Sequence, residues 1–69
     1  MKITLNGIDH EIDTSSNRIS VTDFVSTLDL GHVPVLVELN GEAILTREFD
    51  HHTIEEGSVV EVVRMVAGG

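Results

Sequence analysis

The chain contains no cysteine, a single proline, and only four lysine and arginine residues against twelve aspartate and glutamate among its 69 residues. Each shortage excludes something. Without cysteine there is no disulfide framework, no iron–sulfur ligation and no thiol nucleophile. The scarcity of cations leaves a formal charge of −8 and a pI near 4.6. Such a surface repels nucleic-acid phosphates and anionic membranes, and it either steers the chain toward a basic protein partner or serves only to keep a small protein soluble and monomeric. The opening stretch, MKITLNGIDH, has no apolar run long enough for a signal peptide, and no later stretch approaches the length of a membrane span. A soluble, cytoplasmic protein is therefore expected.

Recognisable catalytic motifs are also missing. The sequence has no nucleophile elbow and no glycine-rich phosphate loop, so its serines and aspartates read as surface residues. A core this small leaves little room for a pocket of roughly 300 Å³ or more, the lower end of typical ligand sites. Histidines stand at positions 10, 32, 51 and 52. The adjacent pair His51-His52 points in different directions on any regular element, and neither His10 nor His32 stands at metal-ligand spacing from it. No metal site and no bound cofactor are expected, and the domain is not expected to be an enzyme itself.

What is present is a strong folding pattern. Hydrophobic residues make up 41% of the chain, which argues against disorder. With no repeat, low-complexity run or linker, residues 1–69 read as one domain, small enough to bury only about 60% of its unfolded surface. Lys2-Ile3-Thr4-Leu5 and Ile8 to Asp13 alternate polar and apolar around Asn6-Gly7, the sequence of a type I′ hairpin turn. This places Ile3, Leu5, Ile8 and Ile12 toward a core and Lys2, Asp9, Glu11 and Asp13 in water. Thr14 to Arg18 reads as a polar turn. Ser20 fits a helix N-cap with Asp23 three residues on, and Val21, Phe24, Val25 and Leu28 form one apolar stripe. That predicts a helix of about ten residues, closed by Gly31 and packed on a sheet.

Pro34 to Leu39 is β-rich, with proline suited to a strand's first position. Asn40-Gly41 marks a second hairpin leading into Ala43-Ile44-Leu45. Residues 46–57 read as a long polar connection anchored by Phe49 and Ile54. The last strand, Ser58 to Val66, is apolar on both faces, which predicts a central position and parallel pairing with the first strand. The order is ββαββ(β), an α+β fold with a small mixed sheet packed against one helix.

That last strand runs directly into Ala67-Gly68-Gly69. Glycine lets a backbone pass a narrow channel and leaves the terminal carboxylate sterically open. Five extended residues from Met65 onward reach about 17 Å, enough to enter a partner's active site. A carboxylate becomes electrophilic once its oxygen is made a leaving group, as in adenylation by ATP. The pattern is that of a folded domain presenting a flexible Gly-Gly tail, with the acidic surface and the two-faced last strand supplying docking contacts.

The segments VELNGEAILTREF (Val37 to Phe49) and IEEGSVVEVVRMVAGG (Ile54 to Gly69), with the element order and the length, resemble the ThiS family. These are ubiquitin-like sulfur carriers of thiamine biosynthesis. The most specific features are an Asn-Gly followed by Arg47, the turn Glu56-Gly57-Ser58-Val59, and the terminal Gly68-Gly69. Thr46 stands where family members often carry proline, and Ser58 where they often carry aspartate. The resemblance implies a β-grasp fold and a set of partners. A ThiF-type adenylyltransferase of the ubiquitin-activating kind would use ATP and Mg²⁺ to adenylate Gly69. A persulfide donor would then convert it to a thiocarboxylate, and a ThiG-type thiazole synthase would take the sulfur. It implies Gly69 as the modified residue, Ala67 and Gly68 as the channel segment, and Val63, Met65 and Val66 as docking positions. Related alternatives sharing the Gly-Gly end are the small subunit of molybdopterin synthase and a ubiquitin-like modifier conjugated through Gly69. A plain binding module is the remaining one.

Overall fold

Asn6-Gly7 reverses the chain between β1 (Lys2–Leu5) and β2 (Ile8–Glu11), which pair antiparallel with Leu5 opposite Ile8 and Lys2 opposite Glu11. Both turn residues have positive φ, 52° and 80°, as a type I′ turn requires. The computed structural model describes residues 1–31 and 33–65. After a polar connection, β3 (Arg18–Ser20) leads directly into α1 (Val21–Thr27). The Ser20 Oγ accepts the Asp23 N–H at 3.0 Å, the expected N-cap. Val21 and Phe24 of the apolar stripe are fully buried, and Val25 and Leu28 pack at the margin of the core.

β4 (Val35–Leu39) and β5 (Glu42–Ile44) form the second hairpin around Asn40-Gly41, again with both φ angles positive. A 3₁₀ helix (Thr46–His51) and the short β6 (Thr53–Glu55) follow, and β7 (Val59–Arg64) is the last described element. The main sheet has the order β2-β1-β7-β4-β5, with β7 parallel to β1 and antiparallel to β4. β3 and β6 make a separate two-stranded sheet. The core lies between the main sheet and α1. Ile3, Val37, Val60 and Val62 from the sheet meet Phe24 and Val21 from the helix, with Phe49 and Ile54 closing one end. This mixed sheet over a single helix is the β-grasp, or ubiquitin-like, arrangement. Among the described residues no helix is long and apolar enough to cross a membrane.

The structure bears out the central position of β7 and its parallel pairing with β1, and it corrects several sequence expectations. Ile8 is 71% exposed rather than buried. It shares the inward side with His10 of β2 and with Ile12 just beyond the strand, but it sits beside the turn on an edge strand, outside the buried cluster. The helix has seven residues, not about ten, and its C-cap is Leu28, in extended conformation. Gly31 does have positive φ, 75°, but three residues beyond that cap, so it turns the following loop rather than closing the helix. Residues 46–57 are not a plain connection, since they contain the 3₁₀ helix and β6. Ser58 lies outside β7, and Val66 lies outside the described residues. A surface groove of about 330 Å³ also exists, lined by Val25, Leu28, Leu30, Val33 and Val35 between α1 and the start of β4.

Candidate functional site

β7 is held between β1 and β4, and strand alternation sorts its side chains onto two faces. Val60 and Val62 point into the core, whereas Val59, Glu61 and Val63 lie on the outer face. Directly across on β4, Leu36 is paired with Val63, and both are 55% exposed. Beyond β7, Met65 donates its N–H to the Pro34 carbonyl at 2.8 Å, so the β4 ladder runs to the last described residue. Met65 is exposed. Two of the docking residues expected from sequence, Val63 and Met65, thus stand near the end of the sheet from which the chain continues to residue 66. Val66, Ala67, Gly68 and Gly69 lie outside the described residues, as does His32.

On the outer face the charges beside this apolar pair are carboxylates, with the exposed Arg64 following Val63 along β7. Glu38 and Glu61 are direct cross-strand partners on the outer face, and Ala43 on β5 is paired with Glu38. Like charges so placed repel each other. Among the described residues neither glutamate forms an ion pair; the one found joins the Met1 ammonium to Glu11 at 2.8 Å, far along the sheet. An exposed Leu–Val pair flanked by carboxylates fits a partner surface with an apolar centre and basic neighbours. Leu36, Glu38 and Glu61 were not singled out in the sequence. For Leu36 a signal is present, because Pro34 to Leu39 is apolar at positions of both parities just as the last strand is.

Two asparagines fix β7 from opposite sides. The Asn6 side chain donates from Nδ2 to the Val62 carbonyl at 3.2 Å and accepts the Val62 N–H on Oδ1 at 2.9 Å. Asn40 accepts the Val59 N–H on its Oδ1 at 2.8 Å, while its own N–H donates to the Val59 carbonyl at 2.7 Å. Ser58, the buried polar residue ahead of the strand, accepts the Glu55 N–H on Oγ at 3.0 Å. A serine hydroxyl therefore performs there the acceptor role open to an aspartate carboxylate. The remaining histidines are dispersed. His10 is half-buried with its ring edge-on to Phe24 at 5.9 Å, and His51 and His52 end the 3₁₀ helix. Among the described residues no three His, Asp or Glu side chains are grouped so as to hold a metal ion.

Comparison with known proteins matches the model of the ThiS family over residues 3–69. A crystal structure of the thiamine biosynthesis protein ThiS from Geobacter metallireducens is 34% identical, with a TM-score of 0.84 and 100% of both chains covered. A solution structure of a thiamine biosynthesis protein from the same organism gives 34% identity and a TM-score of 0.81, covering 100% of this chain and 88% of that one. None of the curated proteins matches the chain. A family match running from the first strand through the Gly-Gly end, together with 34% identity to a ThiS structure at a TM-score of 0.84, settles the relationship: the chain belongs to the ThiS family.

Proposed function

We propose that this protein is a sulfur carrier of thiamine biosynthesis whose working group is the carboxylate of Gly69. The observation that carries the reading is the extent of the family match, which includes Gly68 and Gly69 and not only the folded domain. The chemistry follows from what a carboxylate needs. Its oxygen attacks the α-phosphorus of ATP, held with Mg²⁺ by a ThiF-type adenylyltransferase, and pyrophosphate leaves. The resulting acyl-adenylate is open to attack by the terminal sulfur of a persulfide, with AMP departing. A thiol then attacks the donor-side sulfur of this acyl disulfide, forming a new disulfide with the donor's cysteine and releasing the thiocarboxylate on Gly69. A ThiG-type thiazole synthase accepts that sulfur. The domain is co-substrate throughout, not catalyst, and supplies recognition through Leu36, Val63 and Met65 with the carboxylates of Glu38 and Glu61 beside them.

Intact-protein mass spectrometry after co-expression with the activating enzyme tests this. Exchange of one oxygen for sulfur, localised to Gly69, is the expected result. Attachment of the chain to target lysines would instead identify a modifier. Deleting Gly69 should leave the unfolding transition unchanged and abolish the activated species. Sulfur transfer that persists without Gly69 would overturn the reading.

A further inference from the structure

The backbone bonding of β7 is uneven along its two sides. Asn40 N–H to Val59 and Met65 N–H to Pro34 show that odd-numbered residues of β7 present their backbone groups to β4, from the first residue of β7 past its last. Even-numbered residues face β1, where Thr4 N–H donates to Ser58 and Asn6 N–H to Val60. The β1 main chain then turns away at Asn6-Gly7, and its paired register covers only Val59 and Val60. The next residue facing that side is Val62. Its N–H and carbonyl are both taken by the Asn6 side chain, which presents one donor and one acceptor in the pattern of a strand residue.

We propose that Asn6 is a positioning residue for the tail. Its side-chain amide substitutes for the strand residue that β1 lacks, and it fixes the last part of β7, from which residues 66–69 lead to the reacting carboxylate. Asn40 has the same turn conformation, with φ of 51° against 52°, but it acts at Val59, the opposite end of the strand. The two Asn-Gly turns, equivalent in sequence, thus differ in what they hold. The positioning half of the proposal rests on the carrier reading above; the latch itself does not.

The matched variants Asn6→Gly and Asn40→Gly test it, since glycine accepts the positive φ and carries the same backbone entropy cost at both sites. Two readouts are taken at a temperature well below either unfolding transition. The first is amide hydrogen exchange at Val62. The second is kcat and KM for pyrophosphate exchange catalysed by the activating adenylyltransferase. In Asn6→Gly, exchange at Val62 should rise on the order of tenfold, as expected for loss of a hydrogen-bond partner. The kcat should fall on the order of tenfold or more with a smaller change in KM, because Leu36, Glu38 and Glu61 keep their places in the docking face while the strand end that leads to the carboxylate is loosened. Asn40→Gly should do neither. Asn6→Asp keeps an acceptor for the Val62 N–H but sets an oxygen against its carbonyl. It should therefore lower kcat while leaving that N–H protected. Val62 exchange equal in the two glycine variants would overturn the latch. A kcat loss of equal size in both, or an effect confined to KM, would overturn the positioning role. Wild-type protein giving no pyrophosphate exchange would defeat the carrier reading and the positioning half with it, leaving amide exchange to decide the latch.

Discussion

Single polar residues do much of the work of joining elements in this domain. Ser58 makes three hydrogen bonds to two segments: its Oγ accepts from Glu55, its N–H donates to the Glu55 carbonyl, and its own carbonyl accepts from Thr4. Replacing Ser58 with alanine orphans the part-buried Glu55 N–H, and urea unfolding should show a loss of about 1–3 kcal/mol. Ser58→Asp retains an acceptor and should lose less. The contact between the Met1 ammonium and Glu11 gives a pH signature. Its hydrogen bond, reinforced by charge attraction, raises the ammonium above its ordinary 8.0 and lowers the Glu11 carboxyl below 4.5. Glu11, lowered on folding, contributes stability above its unfolded value and loses it as pH falls through the folded one. The ammonium, raised on folding, contributes below pH 8 and loses it as pH rises through its raised value. Thermal unfolding of Glu11→Gln against wild type should therefore differ most near neutrality and converge at both acidic and alkaline pH.

At the scale of elements, long periodic segments were legible and short ones were not. Both Asn-Gly hairpins, the Ser20 cap, the Val21–Phe24 stripe and the central last strand all followed from local chemistry that the tertiary structure did not override. β3 and β6 escaped because three residues are too few to establish a period of two, and their pairing joins positions more than thirty residues apart. The sequence marks Ile54 as an anchor, yet not as a strand residue paired with Ile19. That pairing seals the end of the core beside Phe49, and Ile54 is fully buried. Ile54→Ala should cost about 2–5 kcal/mol in denaturant unfolding, as much as a main-sheet position. The candidate site was half legible for a related reason. Val63 and Met65 could be chosen from one strand's own sequence, but Leu36 and the Glu38–Glu61 pairing depend on register across two strands. Asn6 depends on which strand its turn happens to meet. A turn signal says how the chain reverses and nothing about what the turning side chain will touch.

For the whole molecule, the charge and the outer face should act together in recognition. With a formal charge of −8, association with a partner of basic surface should slow as salt rises, since the attraction is screened over about 8 Å at physiological ionic strength. Val63→Ser should leave unfolding within about 0.5 kcal/mol of wild type, because the side chain is half exposed, while weakening that association measurably. Glu38→Gln should slightly stabilise the isolated domain by relieving its repulsion with Glu61, by roughly 0.2–1 kcal/mol. The parallel pairing of the first and last strands carries a mechanical consequence. Because β1 and β7 run the same way, Met1 and Met65 lie at opposite ends of the joined pair. Traction on the tail, with the N-terminal end anchored, loads the Thr4–Ser58, Asn6–Val60 and Asn6–Val62 bonds in shear, all at once rather than one after another. A carrier drawn by its tail into an enzyme's channel would be gripped by the one strand least able to peel away. Force spectroscopy along that axis should show a single high rupture, and pulling instead across a hairpin should unzip the domain at lower force.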